Sequence, residues 1–394
     1  MRDGLPATYP ALDQNLRTEV AIIGGGVSGA LLALHLAEAG IETVVLDRRD
    51  VAHGSTAAST GLLQYELDEP LHKLAQKFGE PFAVRCYRRC LAAIDGLAGL
   101  VNRHEIACGF ERRPGLLLAS DRTHLARLRR EFEARDRAGF AVEWWSREKL
   151  RASSTLPHPA AIRSRDGAQV DAYALTHGLL AAAQRAGARI FDRTAVTRWS
   201  FQPRGVTLRT EHGHTVRARH LVVATGYEAG QFLPAPVTAL HSTFAMVSEP
   251  VEDFEGWPPE HALLWETARP YLYLRTTADR RVMMGGYDEE FADPAARDRM
   301  LPAKCSALAR RFRQLFPRIK LEVATAWAGT FADTEAGLPF IGRHPKVPHT
   351  WFALGYGGNG ITFSLIAAEI IRDALRGKCD PDAQLFDFDR EPQL

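Results

Sequence analysis

The sequence predicts an α/β protein in which a discontinuous, mostly parallel domain carries an inserted antiparallel-sheet unit. Three observations lead there. Val20 to Asp47, VAIIGGGVSGALLALHLAEAGIETVVLD, reads as strand, glycine turn, helix and second strand ending on an acid. The chain closes on a similar piece: Trp351 to Leu354 as strand, Gly355 to Gly360 as turn, Thr362 to Leu375 as helix. Between them, from Pro234 to Lys320, HSTFAMVSEP, YLYLRT and RVMMGGYD alternate apolar and polar residues and are rich in aromatics, the pattern of antiparallel sheet.

The opening piece carries chemistry in its spacing. The apolar run Val20 to Ile23 enters Gly24, Gly25 and Gly26, and the helix from Ala30 to Ala39 stops at Gly40. Gly24 permits the tight turn, Gly26 lets the backbone approach a pyrophosphate, and Gly29 lets the helix pack on the strand. Phosphates then meet free N–H groups at the positive end of the helix. Asp47 follows the glycines by roughly 20 residues, where a dinucleotide's ribose hydroxyl needs an acceptor. The unit is therefore a Rossmann-like dinucleotide site.

Composition bounds the rest. The 394 residues suffice for two or three structural units, and 46% hydrophobic with 24% charged content is that of an ordinary globular protein. A net charge of +2 is too balanced to imply nucleic acid or an anionic membrane. The five cysteines make no CxxC and no zinc spacing, so no metal is expected and a reduced compartment is the simpler reading. The start, MRDGLPATYPALDQN, lacks a signal peptide's apolar core, and nothing approaches the roughly 18 apolar residues of a membrane span. A cytoplasmic protein is expected.

The remaining segments follow in order. His53 to Pro70 is rich in small and hydroxylic residues, suited to backbone contact with a flat cofactor. Leu71 to Arg103 has helical periodicity, Gly115 to Ser120 reads as a strand, and Arg122 to Arg137 as a charged, solvated helix. Asp166-Gly167 reads as a turn before a helix from Ala172 to Ala186. A short strand runs from Arg189 to Phe191, and a hairpin turns about His212-Gly213. HLVVATG, His220 to Gly226, is a buried strand ending on small residues, and Ala303 to Phe316 is a helix. The resulting division gives residues 17–70, 156–233 and 321–390 to the nucleotide domain, and 71–155 and 234–320 to a substrate-binding domain.

GGGVSG with Asp47, GSTAASTGLL, DGAQVDAYALTHGLLAAA, VVATG, YLRTTADRRVMMGG, WAGTFADTEAGLPFIG and ALGYGGNGITFS occur in an order that resembles the D-amino-acid oxidase-like FAD-dependent oxidoreductases, a family that includes glycine, sarcosine and gamma-glutamylputrescine oxidases. The resemblance spans Leu12 to Gly377. It implies non-covalent FAD. Gly24, Gly26, Val27, Ser28 and Gly29 would hold the pyrophosphate, with Asp47 and Arg48 at the adenosine ribose. Ser55, Thr56, Ser59, Thr60, Gly61 and Leu62 would line the phosphates and isoalloxazine. Val196 would meet the adenine, with Ala224, Thr225 and Gly226 nearby, and Gly329 would be a further cofactor-binding position. Gly355, Tyr356, Gly357, Gly358, Asn359, Gly360 and Ile361 would offer N–H groups to the flavin's pyrimidine end, where negative charge develops as hydride reaches N5.

The departures concern substrate. Where glycine and D-amino-acid oxidases clamp a carboxylate with arginine, this chain has Phe331; glycine oxidase's second arginine falls at Gly358, and sarcosine oxidase's lysine at Thr362. Arg275, with Arg269 beside it and Tyr271 and Tyr273 alternating around them, are the candidate substitutes. The expected reaction is oxidation of the C–N bond of an amine or N-substituted amino acid, with oxygen or an electron carrier as acceptor. Three alternatives stay open: a nicotinamide-dependent dehydrogenase, an FAD enzyme acting on a hydroxy acid, and a flavin-binding subunit without turnover.

Overall fold

The structure, a computed structural model, describes residues 7–390; Met1 to Pro6 of the lead-in lie outside them. Two sheets organise it. The first runs Phe340–Arg343, Thr350–Leu354, Thr215–Val223, Leu16–Ile23, Thr43–Leu46, Arg189–Phe191, with the strands Val196–Gln202 and Gly205–Thr210 attached beside Thr215–Val223. Its central strand, Leu16–Ile23, pairs in parallel on both sides, so Ile23, Leu46 and Val223 end level with one another. Ligands of open α/β sheets bind at such carboxyl ends.

The helix Val27–Glu38 is buried from Val27 to Ala37. Apolar residues on every side make it a core helix, packed between Ala172–Arg185 and Gly360–Leu375. The hydroxyls of Ser28 and Ser364 meet at 2.7 Å, so two helix N-termini lie side by side.

The second sheet runs Val323–Asp333, Ala239–Ser248, Val282–Glu289, Leu272–Thr276, Leu263–Glu266, Glu111–Leu118, Ala160–Gln169, Leu62–Leu63, with Val142–Ser146 also on Ala160–Gln169. It is antiparallel except where Leu263–Glu266 pairs in parallel with Glu111–Leu118. Its outer face buries Leu308, Phe312 and Leu315 of the helix Pro294–Leu315. Three of its strands, Leu62–Leu63, Ala160–Gln169 and Val323–Asp333, fall in segments the sequence reading gave to the nucleotide domain. Each leads directly into or out of a nucleotide element, and sheet membership is decided by partners distant in the chain.

Local expectations are also corrected. Asp166-Gly167 is no turn; the strand Ala160–Gln169 runs through it, with Gly167 crowded against the Arg113 carbonyl, which a Cβ would meet at 2.7 Å. The helical stretch from Leu71 breaks at Gly79, whose φ of +85° divides Leu71–Phe78 from Glu80–Arg103. No helix among the described residues is long and apolar enough to cross a membrane.

The helix Leu125–Arg137 is not simply solvated. Glu131 and Arg135 are each 2% exposed and bonded at 2.7 Å, and Arg135 reaches Glu66 at 3.0 Å. Glu131 also accepts the backbone N–H groups of Leu71 and His72, each at 3.1 Å, capping the helix Leu71–Phe78. Burial raises the Glu131 carboxyl, but Arg135 and His72 outweigh it and bring it from 4.5 down to about 2. A carboxyl depressed in the folded state stabilises fully above its unfolded value, and that contribution fades as pH falls from 4.5 toward 2.

Arg135→Leu strands two buried carboxylates and should cost ~3–5 kcal/mol in urea unfolding at pH 7. A loss under ~1 kcal/mol would mean that these charges are not the desolvated pair described.

Candidate active site

A cavity of about 540 Å³ is lined by residues of both sheets. At its nucleotide end the glycine turn has no room for side chains. A Cβ on Gly24 would meet the Ala224 carbonyl at 2.4 Å, and one on Gly29 would meet the Gly24 carbonyl at 1.8 Å. On Gly26 it would meet the Thr56 hydroxyl at 2.9 Å. That hydroxyl accepts the Val27 N–H at 3.0 Å, fixing the helix entrance.

Asp47 is held by its own neighbours: Oδ2 accepts the Gly25 N–H at 2.6 Å and Oδ1 the Arg49 N–H at 2.8 Å. Each oxygen keeps a lone pair for a ribose hydroxyl. Burial raises this carboxyl, while the two N–H donors pull it back. Arg48 turns to Glu228 at 2.6 Å, with Arg49 joining at 3.1 Å, so the two arginines tie this corner to the segment after Gly226. Val196, Ala224, Thr225 and Gly226 line the same end.

Ser55, Thr56, Ser59, Thr60, Gly61 and Leu62 all line the cavity. This loop is held from behind. The Trp327 indole donates to the Ala58 carbonyl at 2.9 Å, and Arg275 Nε donates to the Thr60 carbonyl at 2.5 Å. Arg275 thus departs from its expected role: it is buried, does not line the cavity, and props the loop against Gly61. Burial lowers its guanidinium to about 10.

At the far end Tyr356, Gly357, Gly358, Gly360 and Ile361 line the cavity, while Gly355 and Asn359 stand behind. Asn359 Nδ2 donates to the Gln64 and Glu66 carbonyls at 3.1 and 2.9 Å, fastening the turn to the second sheet's edge. Not every N–H here is free. Gly357 donates to Ala332 at 2.9 Å, Gly358 to Asp68 at 2.7 Å and Asn359 to Tyr356 at 3.2 Å. Gly360 and Ile361, in the first turn of their helix, are among the N–H groups that stay without backbone acceptors.

The opposite wall comes from the second sheet: Thr243, Trp265, Tyr271, Tyr273, Asp288 and Phe331. Gly285 pairs with Tyr273 across the sheet, and a Cβ there would strike the phenol at 2.3 Å, so the missing side chain makes room for the ring. The Tyr271 hydroxyl would lie 3.3 Å from a Cβ on Gly358. Burial pushes the Tyr273 phenol up to about 12, so it stays a donor at neutral pH. Arg269 lies over Tyr271 at 4.8 Å and donates to the Asp68 carbonyl at 2.9 Å. The cavity's described lining holds no cysteine or histidine to which a flavin could be linked. His241 pairs with Asp333 at 3.0 Å and stacks on Phe331 instead.

Sequence reasoning missed Trp265 and Asp288. Neither sits in a recognisable motif, and Asp288 reaches the cavity through a bulge that simple alternation hides.

Two helix N-termini, a glycine turn and a half-buried acid at the ends of parallel strands define a dinucleotide-binding protein. A family profile described as FAD dependent oxidoreductase matches residues 19–374, and the chain belongs to that family. Gamma-glutamylputrescine oxidoreductase of Escherichia coli is 26% identical over 97% of this chain and 88% of its own. Glycine oxidase of Bacillus licheniformis is 26% identical over 92% and 94%. The crystal structure of glycine oxidase from Geobacillus kaustophilus has the same fold, with a TM-score of 0.79 at 22% identity over 96% of this chain and all of the other. FAD is the cofactor. The residues fit it: besides the bare glycine cradle, the buried hydroxyl of Thr225 lines the cavity without a hydrogen-bond partner.

Gly26→Arg fills the space against Thr56 and should yield protein that elutes without flavin absorbance. Wild-type flavin occupancy in that variant would contradict the pyrophosphate assignment.

Proposed function

We propose that the enzyme oxidises the C–N bond of an amine or N-substituted amino acid. The relatives above are named for gamma-glutamylputrescine and glycine, two compounds with an amino nitrogen on a carbon bearing hydrogen. When bound, FAD supplies the two-electron acceptor, taking hydride at N5. Loss of hydride from that carbon and of one proton from nitrogen turns the amine into an imine, which water hydrolyses to a carbonyl compound and a shorter amine or ammonia. Oxygen or an electron carrier then takes the two electrons.

The observation carrying this reading is the continuity of one cavity from Asp47 to the aromatic wall of the second sheet. A substrate against that wall lies between Tyr271 and Tyr273 on one side and the Thr60–Leu62 loop on the other. The unpartnered N–H groups of Gly360 and Ile361, at a helix's positive end, favour negative charge that develops at the cavity's far end. An amine that is neutral when hydride leaves needs no further base; one that binds as an ammonium ion first gives up its extra proton to a wall carboxylate or to water.

In an anaerobic titration, an amine or N-methyl amino acid should bleach the visible flavin band, and hydroxy acids should not. Bleaching by hydroxy acids alone would favour C–O chemistry, and a flavin that no member of either class reduces would favour a non-catalytic subunit.

A further inference from the structure

The substrate wall has the opposite charge from a carboxylate-binding site. The arginines lining the cavity are Arg48 and Arg49, both engaged by Glu228 at the Asp47 end. No lysine or histidine lines it among the described residues, and the acidic side chain on the substrate wall is Asp288.

The fold takes a specific step to bring Asp288 there. Along Val282–Glu289, Val282 and Met284 point into the core beneath the helix Pro294–Leu315, and Gly285 faces the Tyr273 ring. Continued alternation would turn Tyr287 toward the cavity and Asp288 into the core. Instead the pairing with Ala239–Ser248 slips: Phe244 faces Gly286 and Ser242 faces Glu289, leaving Tyr287 and Asp288 opposite Thr243 alone. Tyr287, at φ +56°, packs on the core, and Asp288 lines the cavity. A β-bulge of this kind re-aims a side chain beside an active site.

Once there, Asp288 lacks a counter-ion. Its Oδ1 is buried with no hydrogen-bond partner. Burial raises its carboxyl; Thr243 beside it works the other way, the charge of Asp68 adds to the rise, and the charges of Arg269 and His241 offset part of it. These cations have partners of their own, Arg269 on the Tyr271 ring and the Asp68 carbonyl and His241 on Asp333, and Lys304 beside them is bound to the Tyr287 carbonyl and Glu289. A half-buried carboxyl group with one buried, unpartnered oxygen gains from a ligand cation. Trp265, Tyr271 and Tyr273 surround the same space with aromatic surface, which attracts ammonium groups.

We propose that Asp288, framed by Tyr271, Tyr273 and Trp265, is the counter-ion for a protonated nitrogen of the substrate, and that the enzyme therefore takes alkylammonium compounds and makes no demand for a free α-carboxylate. This rests on the C–N reading above and narrows its substrate class.

The test uses the flavin-bound enzyme and two ligands that are not oxidised, benzyltrimethylammonium and benzoate, titrated by calorimetry and by their perturbation of the flavin spectrum. The cation should bind and benzoate should not. Asp288→Asn should retain flavin and weaken the cation by about tenfold or more, while Asp288→Glu keeps most of the affinity. Unchanged cation affinity in a flavin-loaded Asp288→Asn protein, or tighter binding of benzoate than of the cation to the wild type, would overturn the proposal. The two readings fail separately. Loss of cation binding in Asp288→Asn, in an enzyme that no amine reduces, would uphold the counter-ion and retire C–N oxidation. Reduction by amines with cation affinity unchanged in Asp288→Asn would do the reverse.

Discussion

The whole arrangement depends on one close approach of backbone to backbone. The Gly24 carbonyl lies where a Cβ on Gly29 would be, and Gly24 itself lies against the Ala224 carbonyl. Two bare positions, Gly24 and Gly29, bring the ends of two parallel strands and the start of a buried helix to one point. Asp47 then locks the turn by accepting the Gly25 N–H. The Ser28–Ser364 contact draws a second helix N-terminus alongside, so two positive helix ends serve one cavity.

The second sheet supplies what the first cannot, the cavity's opposite wall. Its attachments are mostly hydrogen bonds to main chain: Trp327 to Ala58, Arg275 to Thr60, Asn359 to Gln64 and Glu66. These fix the loops that face the cofactor without placing a charged head in the cavity. Arg275 is the clearest case, a cation used as a prop. Glu66, at the edge of this region, is in turn bound to the buried Arg135, so the wall is tied to the interior of the helical layer.

Much of the nucleotide half was legible because its requirements are local. Gly24, Gly26 and Gly29 have fixed offsets, Asp47 follows at a set distance, and the final glycine turn feeds a helix of clear periodicity. The substrate half was less so. Arg275 and Tyr273 sit two residues apart on one strand, yet one turns behind the Thr60 loop and the other lines the cavity. Asp288 was hidden by a bulge whose cause lies on a neighbouring strand. The charged helix Leu125–Arg137 concealed Glu131 and Arg135, because composition does not tell which charges will find buried partners. Sheet membership of Leu62–Leu63, Ala160–Gln169 and Val323–Asp333 likewise depends on partners far along the chain.

The central claim is that one cavity holds FAD between the glycine turn of the first sheet and the aromatic, acidic wall of the second. The most direct measurement is a crystal structure of the protein purified with its flavin. The account predicts the adenosine ribose on Asp47, the pyrophosphate over Gly24 to Gly26, and the tricyclic ring between Thr60–Leu62 and Gly360–Ile361 with Asp288 facing the open side. Density for the ring at the Asp47 end, or a ring walled off from Tyr271, Tyr273 and Asp288, would contradict it.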